Sequence, residues 1–505
     1  MKLLSPAISR LARLRRWRIG QWISMPIESQ FSVWQYLLAE GQYTAYGRQY
    51  GFDTIQSVKD FQQAAPIITY EDIQPYINRM MEGEENVLWN TPVEWFAKSS
   101  GTTAAKSKFI PISYESLEEN HYKASKDVLA FFYMNRPESD LLTGKGLVVG
   151  GSHQVHRVAE NIQYGDLSAV VMQNMPFWSQ WLRTPGLEIA LMDEWEAKIE
   201  KMAEATIKEN VTSVAGVPTW TLVLFRRILE KTGKQTIKEV WPNLELYMHG
   251  GVSFVPYREQ FSSLMGGDVA YLEMYNASEG FFAAQNDLDD DGMALFTNHG
   301  IFYEFLPMEE LDKPSPKTLT LEEVEVNKNY ALIISTTGGL WRYMVGDTIK
   351  FTQLNPYKIK VTGRTRHYIN AFGEEVIVGN TDAAIAHACE KTGAVINDYT
   401  VAPMYFASGS NGTHQWFIEF RKDPGNLAEF AFELDSALQN INSDYEAKRY
   451  RNMALRQPLV QVLPPGTFSR WLAAKSKLGG QHKVPRLSNN REVAEEILKL
   501  LSTGV

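Results

Sequence analysis

A single cysteine, Cys389, stands in 505 residues. It cannot build a disulfide framework or a cysteine-ligated metal centre, and such scarcity fits a reducing, cytoplasmic setting. Basic charge is also short: 50 Lys and Arg face 59 Asp and Glu, for a net charge of -9. That balance argues against a general nucleic-acid binder. No apolar run reaches the length needed to span a bilayer. Internal repeats and low-complexity segments are missing. There is no Gly-x-Ser-x-Gly elbow for an esterase-type nucleophile. His153 and His156 are three apart, but no third ligand is spaced for zinc. What remains is an ordinary globular composition, 44% hydrophobic and 22% charged, in a chain long enough for about two to four domains.

The chain changes character along its length. Arg10, Arg13, Arg15, Arg16 and Arg18 alternate with Leu11, Leu14 and Trp17. A basic amphipathic helix of this kind can lie on an anionic membrane, and it superficially resembles a transit peptide; the preferred reading is a helix whose apolar face docks on the protein body. Residues 1–90 read as mostly helical, with Phe31, Trp34, Leu37 and Leu38 at helical spacing. From 109 to 251 apolar runs alternate with helical patterns, the signature of a buried, largely parallel α/β sheet. Strands are expected at 147–149, 169–172, 211–215 and 244–248. Strands dominate from 268 to 362, suggesting a β-rich subdomain beside the α/β body. Beyond Gly363 the register changes again to a compact α+β unit. The expected fold is therefore α/β: a large N-terminal domain, residues 1–362, and a smaller, mobile α+β C-terminal domain, residues 363–505.

Several clusters carry chemistry. Lys98-Ser99-Ser100-Gly101-Thr102-Thr103-Ala104-Ala105-Lys106-Ser107-Lys108 gathers hydroxyls, a glycine and lysines in one loop. Hydroxyls and backbone N–H groups can wrap phosphate oxygens there, and Gly101 lets the backbone approach. The spacing is not that of a Walker loop, since no second glycine precedes Lys106 as required. In Tyr275-Asn276-Ala277-Ser278-Glu279-Gly280, a strand runs into a turn that presents an aromatic face for a purine, a hydroxyl for a phosphate and a carboxylate for Mg²⁺. In Tyr343-Met344-Val345-Gly346-Asp347, a carboxylate just after a strand and a glycine can accept both hydroxyls of a ribose. Gly363-Arg364-Thr365-Arg366 sits at the expected domain boundary. Gly479-Gly480-Gln481-His482-Lys483-Val484-Pro485-Arg486 is a glycine-flexed loop able to carry Lys483 to a distant anion. Taken alone, each cluster is a weak signal, and an ordinary turn is the preferred reading.

Their order and spacing together resemble the adenylate-forming superfamily of acyl ligases, and within it the auxin-responsive Gretchen Hagen acyl acid amido synthetases. The resemblance runs from about 90 to 490 and includes Trp241-Pro242-Asn243, Val361-Thr362-Gly363-Arg364 and Gly373-Glu374-Glu375. Ala277, Met344 and the run His249-Gly250-Gly251-Val252-Ser253-Phe254 depart from the plant pattern and suggest a microbial-type branch. By position, the resemblance implies that Ser99, Ser100, Gly101, Thr102 and Thr103 hold phosphates. It implies that Tyr275 packs near adenine, Ser278 contacts the α-phosphate, Glu279 binds Mg²⁺ and Asp347 holds the ribose. Arg364 would lie at the hinge near ribose or phosphate, and Lys483 would reach the phosphate or the acyl carboxylate. The implied reaction uses ATP and Mg²⁺ to join a carboxylic acid to an amino acid. An acyl-CoA synthetase on the same scaffold and a non-catalytic binding protein are the alternatives.

Overall fold

The computed structural model describes the chain from Ser5 to Ser502, except residues 100–107, 151–154, 159–160, 193–194, 252–253, 312, 366–367, 370, 372–373, 375, 406–411, 443–444, 447–448, 450–454, 476–482 and 489. Two compact units emerge. The first comprises Met1–Phe254, Glu259–Val345 and Ile349–Lys360, and the second Val255–Arg258, Gly346–Thr348 and Val361–Val505.

The first unit begins with helices whose starts are written locally. Pro26 opens the helix Pro26–Gly41, where its fixed φ fits and its missing N–H costs nothing. Thr44 and Ser57 cap the helices Ala45–Gln49 and Val58–Ala64 by accepting the N–H groups of Gly47 and Asp60. Thr69 and Asp72 form a reciprocal capping box at Tyr70–Met81. The basic N-terminal helix Ser5–Ser24 buries Ile19 and Trp22, and Trp22 lies edge-on to Phe131 and Phe296. Arg15 pairs with Asp127, which is also bonded to the buried His299 at 3.0 Å. The docked-helix reading therefore describes its C-terminal half.

One sheet of 11 strands organises this part of the chain. Its parallel half contains Lys145–Val149, Val211–Gly216, Leu246–Gly250 and Ala270–Ala277, with Arg183–Thr184 at the edge. Its antiparallel half runs through Gly280–Gln285, Met293–Leu295, Tyr357–Arg364, Tyr343–Leu354, Asn329–Thr336 and Ile301–Pro307. The β-rich stretch is thus the continuation of the α/β sheet, which changes from parallel to antiparallel after Ala270–Ala277. Residues 169–172 are a correction: they belong to the helix Leu167–Asn174. Four apolar residues are too few for periodicity to separate a strand from a buried helix. Phe131, Phe132, Tyr133, Phe302 and Tyr303 are all core residues.

In the second unit, the strands Val395–Tyr405 and Gly412–Lys422 pair antiparallel, and Leu459–Leu463 adds in parallel. The helices Val378–Thr392 and Leu427–Ile441 bury Ile385, Ala388, Leu434 and Leu438 in a core with Tyr399, Trp416 and Ile418. Thr467–Ala474 and Glu492–Ser502 pack through Trp471, Leu472 and Ile497. Cys389 is half-buried against the first of these cores.

Candidate active site

The hydroxyl-rich loop joins two antiparallel strands, Trp95–Ser99 and Lys108–Ile112, whose register ends at Ser99 opposite Lys108. The flanking lysines are seated on rings. The Lys98 ammonium lies 5.9 Å from the centre of Tyr164, and that of Lys108 lies 5.5 Å from the centre of Tyr70. The Tyr70 hydroxyl also accepts the Phe109 N–H at 2.9 Å. Ser99 ends its strand; Ser100, Gly101, Thr102 and Thr103 lie outside the described residues.

Ser278 and Glu279 form the two-residue turn of a β-hairpin, since Ala277 pairs with Gly280 across it. Two-residue loops are the tightest hairpin connections, so the backbone at both positions is fixed by the strands on either side. Tyr275 enters the same hairpin and packs in the core against Phe282, with ring centres 4.8 Å apart. Ser278 is buried and Glu279 half-buried. Glu279 lines a small cleft with Ser116, Asn120, His121, Thr336 and Thr337.

That cleft draws on an element the sequence does not advertise. Leu117–Tyr122 is a π-helical turn within the long helical run, a distortion that recurs at functional sites. The extra residue turns Asn120 inward. Its amide donates to the carbonyls of Phe281 at 3.1 Å and His299 at 2.8 Å, and its oxygen accepts the Phe281 N–H at 2.7 Å. Asn120 therefore clamps the strand two residues beyond Glu279. Burial pushes the His121 imidazole down to about 4, so it is neutral near pH 7. Ser113 Oγ donates to the Thr337 carbonyl at 2.7 Å and closes the cleft's other wall. A carboxylate among hydroxyl and carbonyl oxygens is a hard donor set, which suits Mg²⁺. Among the described residues no three His, Cys, Asp or Glu gather for a metal. A cation here would take most of its ligands from phosphate and water, as Mg²⁺ does.

Asp347, Arg364 and Lys483 belong to the second unit. Asp347 follows Gly346, whose φ of +88° lies inside the strand Tyr343–Leu354. Only glycine takes that conformation cheaply. The carbonyl of Gly346 accepts the Thr365 N–H at 2.9 Å, so the residue at the kink is itself held by a hydrogen bond. Asp347 is mostly buried and pairs with Arg364 Nε at 2.9 Å, while Arg364 is 44% exposed. Solvent therefore screens much of the pair's attraction. Lys483 is half-buried, and its ammonium is pushed down to about 8, first by burial and then by the Arg364 charge, with Asp347 opposing.

The expected site residues thus fall into two sets, Tyr275, Ser278 and Glu279 in the first unit and Asp347, Arg364 and Lys483 in the second. Sequence reading missed Asn120, His121, Thr336 and Thr337 in the cleft. It quoted Arg486 in the lysine loop without giving it a role.

Comparison with known proteins supplies the context. Three successive family profiles match: the GH3 family N-terminal domain over residues 17–270, the GH3 central domain over 294–364 and the GH3 C-terminal domain over 379–492. A jasmonoyl–L-amino acid synthetase, JAR4, from Nicotiana attenuata is 24% identical across 93% of this chain and 92% of its own length. Indole-3-acetic acid-amido synthetase GH3.3 from Arabidopsis thaliana is 22% identical across 90% of this chain and 88% of its own. Among solved structures, GH3.15 acyl acid amido synthetase superposes with a TM-score of 0.76 at 19% identity, covering 94% of this chain and 93% of that one. A 2-hydroxyisobutyryl-CoA ligase caught in its postadenylation state follows with a TM-score of 0.60 at 11% identity, covering 94% and 91%. The fold is that of adenylate-forming enzymes. Because consecutive domains of one family account for the chain in their natural order, it belongs to the GH3 family.

Proposed function

We propose that this protein is an ATP-dependent acyl acid amido synthetase. A carboxylate is a poor electrophile, so the first step joins it to AMP: the carboxylate oxygen attacks the α-phosphorus of ATP and pyrophosphate departs. An amino acid nitrogen then attacks the acyl carbon, the amide bond forms, and AMP leaves. What carries this reading is the membership of a family whose curated relatives are amido synthetases.

The roles are those that the family resemblance assigns by position. Ser99, Ser100, Gly101, Thr102 and Thr103 grip the phosphates by hydroxyl and backbone N–H. Tyr275 supports the adenine, Ser278 donates to the α-phosphate, and Asp347 accepts the ribose hydroxyls. Arg364 and Lys483 place positive charge where the transferring phosphate becomes more negative. Glu279 anchors Mg²⁺, which when bound neutralises phosphate charge. Residues 1–362 form the ATP- and acyl-binding domain and residues 363–505 a domain that rearranges between steps, supported by the compact second unit. A cytoplasmic setting, where ATP is plentiful and thiols such as Cys389 stay reduced, is part of this reading.

A second reading, an acyl-CoA synthetase, is favoured by the structural likeness to a CoA ligase. The deciding experiment is ATP–pyrophosphate exchange across a carboxylic acid panel, then product mass analysis with mixed amino acids and with CoA. An amide product is expected. Turnover with CoA alone, with a thioester accumulating, would replace the first reading with the second.

A further inference from the structure

Lys483 stands three residues before Arg486, and the stretch between is pinned to the strand Val395–Tyr405. The Val401 N–H donates to the Arg486 carbonyl at 2.9 Å, and the Ser488 N–H donates to the Val401 carbonyl at 3.1 Å. Thr400 Oγ1 donates to the Pro485 carbonyl at 2.5 Å. Val484 and Leu487 are buried beneath.

The Arg486 side chain is fixed more tightly still. Its guanidinium pairs with Asp398 and donates to the Tyr399 carbonyl at 3.1 Å. It lies over the Tyr399 ring at 4.4 Å and donates to the Tyr257 hydroxyl at 2.9 Å. Tyr399 is itself tied down, its hydroxyl 2.6 Å from Asp382 and 2.9 Å from Thr381 on the helix Val378–Thr392. Tyr257 comes from the short segment Val255–Arg258, which joins the second unit from far earlier in the chain. A planar fork serving a carboxylate, a carbonyl, a phenol and a ring face at once cannot be replaced by lysine.

A lysine side chain is a flexible stem with a point charge at its end, so the placement of its ammonium depends on how firmly its backbone is held. Arg486 is the first polar side chain after Lys483, and it is anchored on every side. We propose that Arg486, clamped by Asp398, the face of Tyr399 and the hydroxyl of Tyr257, is a positioning residue that fixes Lys483 for acyl-adenylate formation. The proposal rests on the reading of Lys483 as an adenylation residue.

The test uses the full-length enzyme with Tyr257→Phe, Arg486→Lys, Arg486→Gln and, as reference, Lys483→Ala. Single-turnover rates are measured for adenylate formation and for amide formation from preformed acyl-adenylate. With enzyme in saturating excess such rates do not depend on the fraction of folded enzyme, and Tyr257→Phe keeps the ring and its packing. Arg486→Lys should slow adenylation by about tenfold or more and Tyr257→Phe by a smaller factor, as expected when a reacting group is misplaced. Amide formation should stay within about twofold, because the clamp acts only through Lys483. The pH profile separates placement from charge. Lys483 faces Arg364, Asp347 and Arg486. Arg486→Lys keeps the positive charge and should leave the alkaline limb of adenylation in place, whereas Arg486→Gln should move it upward. If Lys483→Ala adenylates normally, the underlying reading fails. If Lys483→Ala is slow while Tyr257→Phe and Arg486→Lys match the parent enzyme, or lose both steps equally, the clamp proposal is overturned and the role of Lys483 stands.

Discussion

Asp347 and Lys483 carry the most specific expectations among single residues. Asp347 is mostly buried behind Gly346, so its carboxylate is placed before any nucleotide arrives. A hydrogen bond to a charged group contributes roughly 1.5–3 kcal/mol. Asp347→Ala is therefore expected to weaken ATP binding by about tenfold or more in calorimetry while the thermal unfolding transition stays cooperative; unchanged affinity would remove Asp347 from the site. Lys483 adds a pH dependence. Its folded pKa is depressed to about 8, so the cation proposed to assist phosphate chemistry is present below that pH and lost above it. The kcat/KM of pyrophosphate exchange for ATP, which reports the free enzyme, should fall with an alkaline midpoint near 8. A profile flat through the ordinary lysine range would show that this ammonium is not the group required. Asp347 and Lys483 stand out as candidates in the sequence because they fall in glycine-containing motifs, Gly346-Asp347 and Gly479-Gly480-Gln481-His482-Lys483, that carry the family resemblance. Arg486 could not be given a role, since its partners Asp398, Tyr399 and Tyr257 are remote in sequence and meet it only in the fold.

Secondary-structure elements show where local sequence suffices and where it does not. The strand Leu459–Leu463 and the helix Thr467–Ala474 are legible to the residue, because Pro464, Pro465 and Gly466 separate a β-branched run from an amphipathic one. The strand Gly280–Gln285 was not legible: its hairpin turn is Ser278-Glu279, without the Asn-Gly or Asp-Gly signature that marks two-residue loops. The π-turn Leu117–Tyr122 is invisible for another reason. Its residues are ordinary helix formers, and the distortion is stabilised by what Asn120 reaches on a strand more than 150 positions away. The kink at Gly346 is the element-scale feature most open to test. A Cβ there would meet only Thr365 Oγ1, at 3.8 Å, so space is not the obstacle; φ is. Holding a non-glycine residue in the left-handed region costs roughly 1–2 kcal/mol. Gly346→Ala should lower unfolding stability by about that amount and should weaken ATP binding further than stability alone explains, because the strand straightens and carries Asp347 away. Full ATP affinity in a destabilised Gly346→Ala protein would show that the kink serves folding only.

At the scale of the whole chain, the α/β character and the change after residue 268 were legible from periodicity, whereas the union of both stretches in one sheet of 11 strands was not. Strand order is decided by long-range pairing, such as Met293 with Ile359, which no local pattern records. The same scale bears on how one protein can run two reactions. The first step calls for positive charge at a phosphate, the second for an amine at an acyl carbon. Residues needed at the phosphate need not serve the amine. In the proposed cycle Lys483, carried by the C-terminal domain, acts in the first step and is withdrawn for the second. Lys483→Ala should then slow acyl-adenylate formation by about a hundredfold, the scale lost when a preorganised charge is removed from a developing anion. Given preformed acyl-adenylate and an amino acid, the same variant should form amide within about threefold of the parent rate, since an interaction absent from that transition state cannot be lost from it. Rapid-quench single turnovers of each half-reaction measure both numbers. An equal fall in both steps would mean that Lys483 stays at the reacting centre throughout and that the domain rearrangement is not what separates them; no fall in either would return Lys483 to the role of a solvated loop residue.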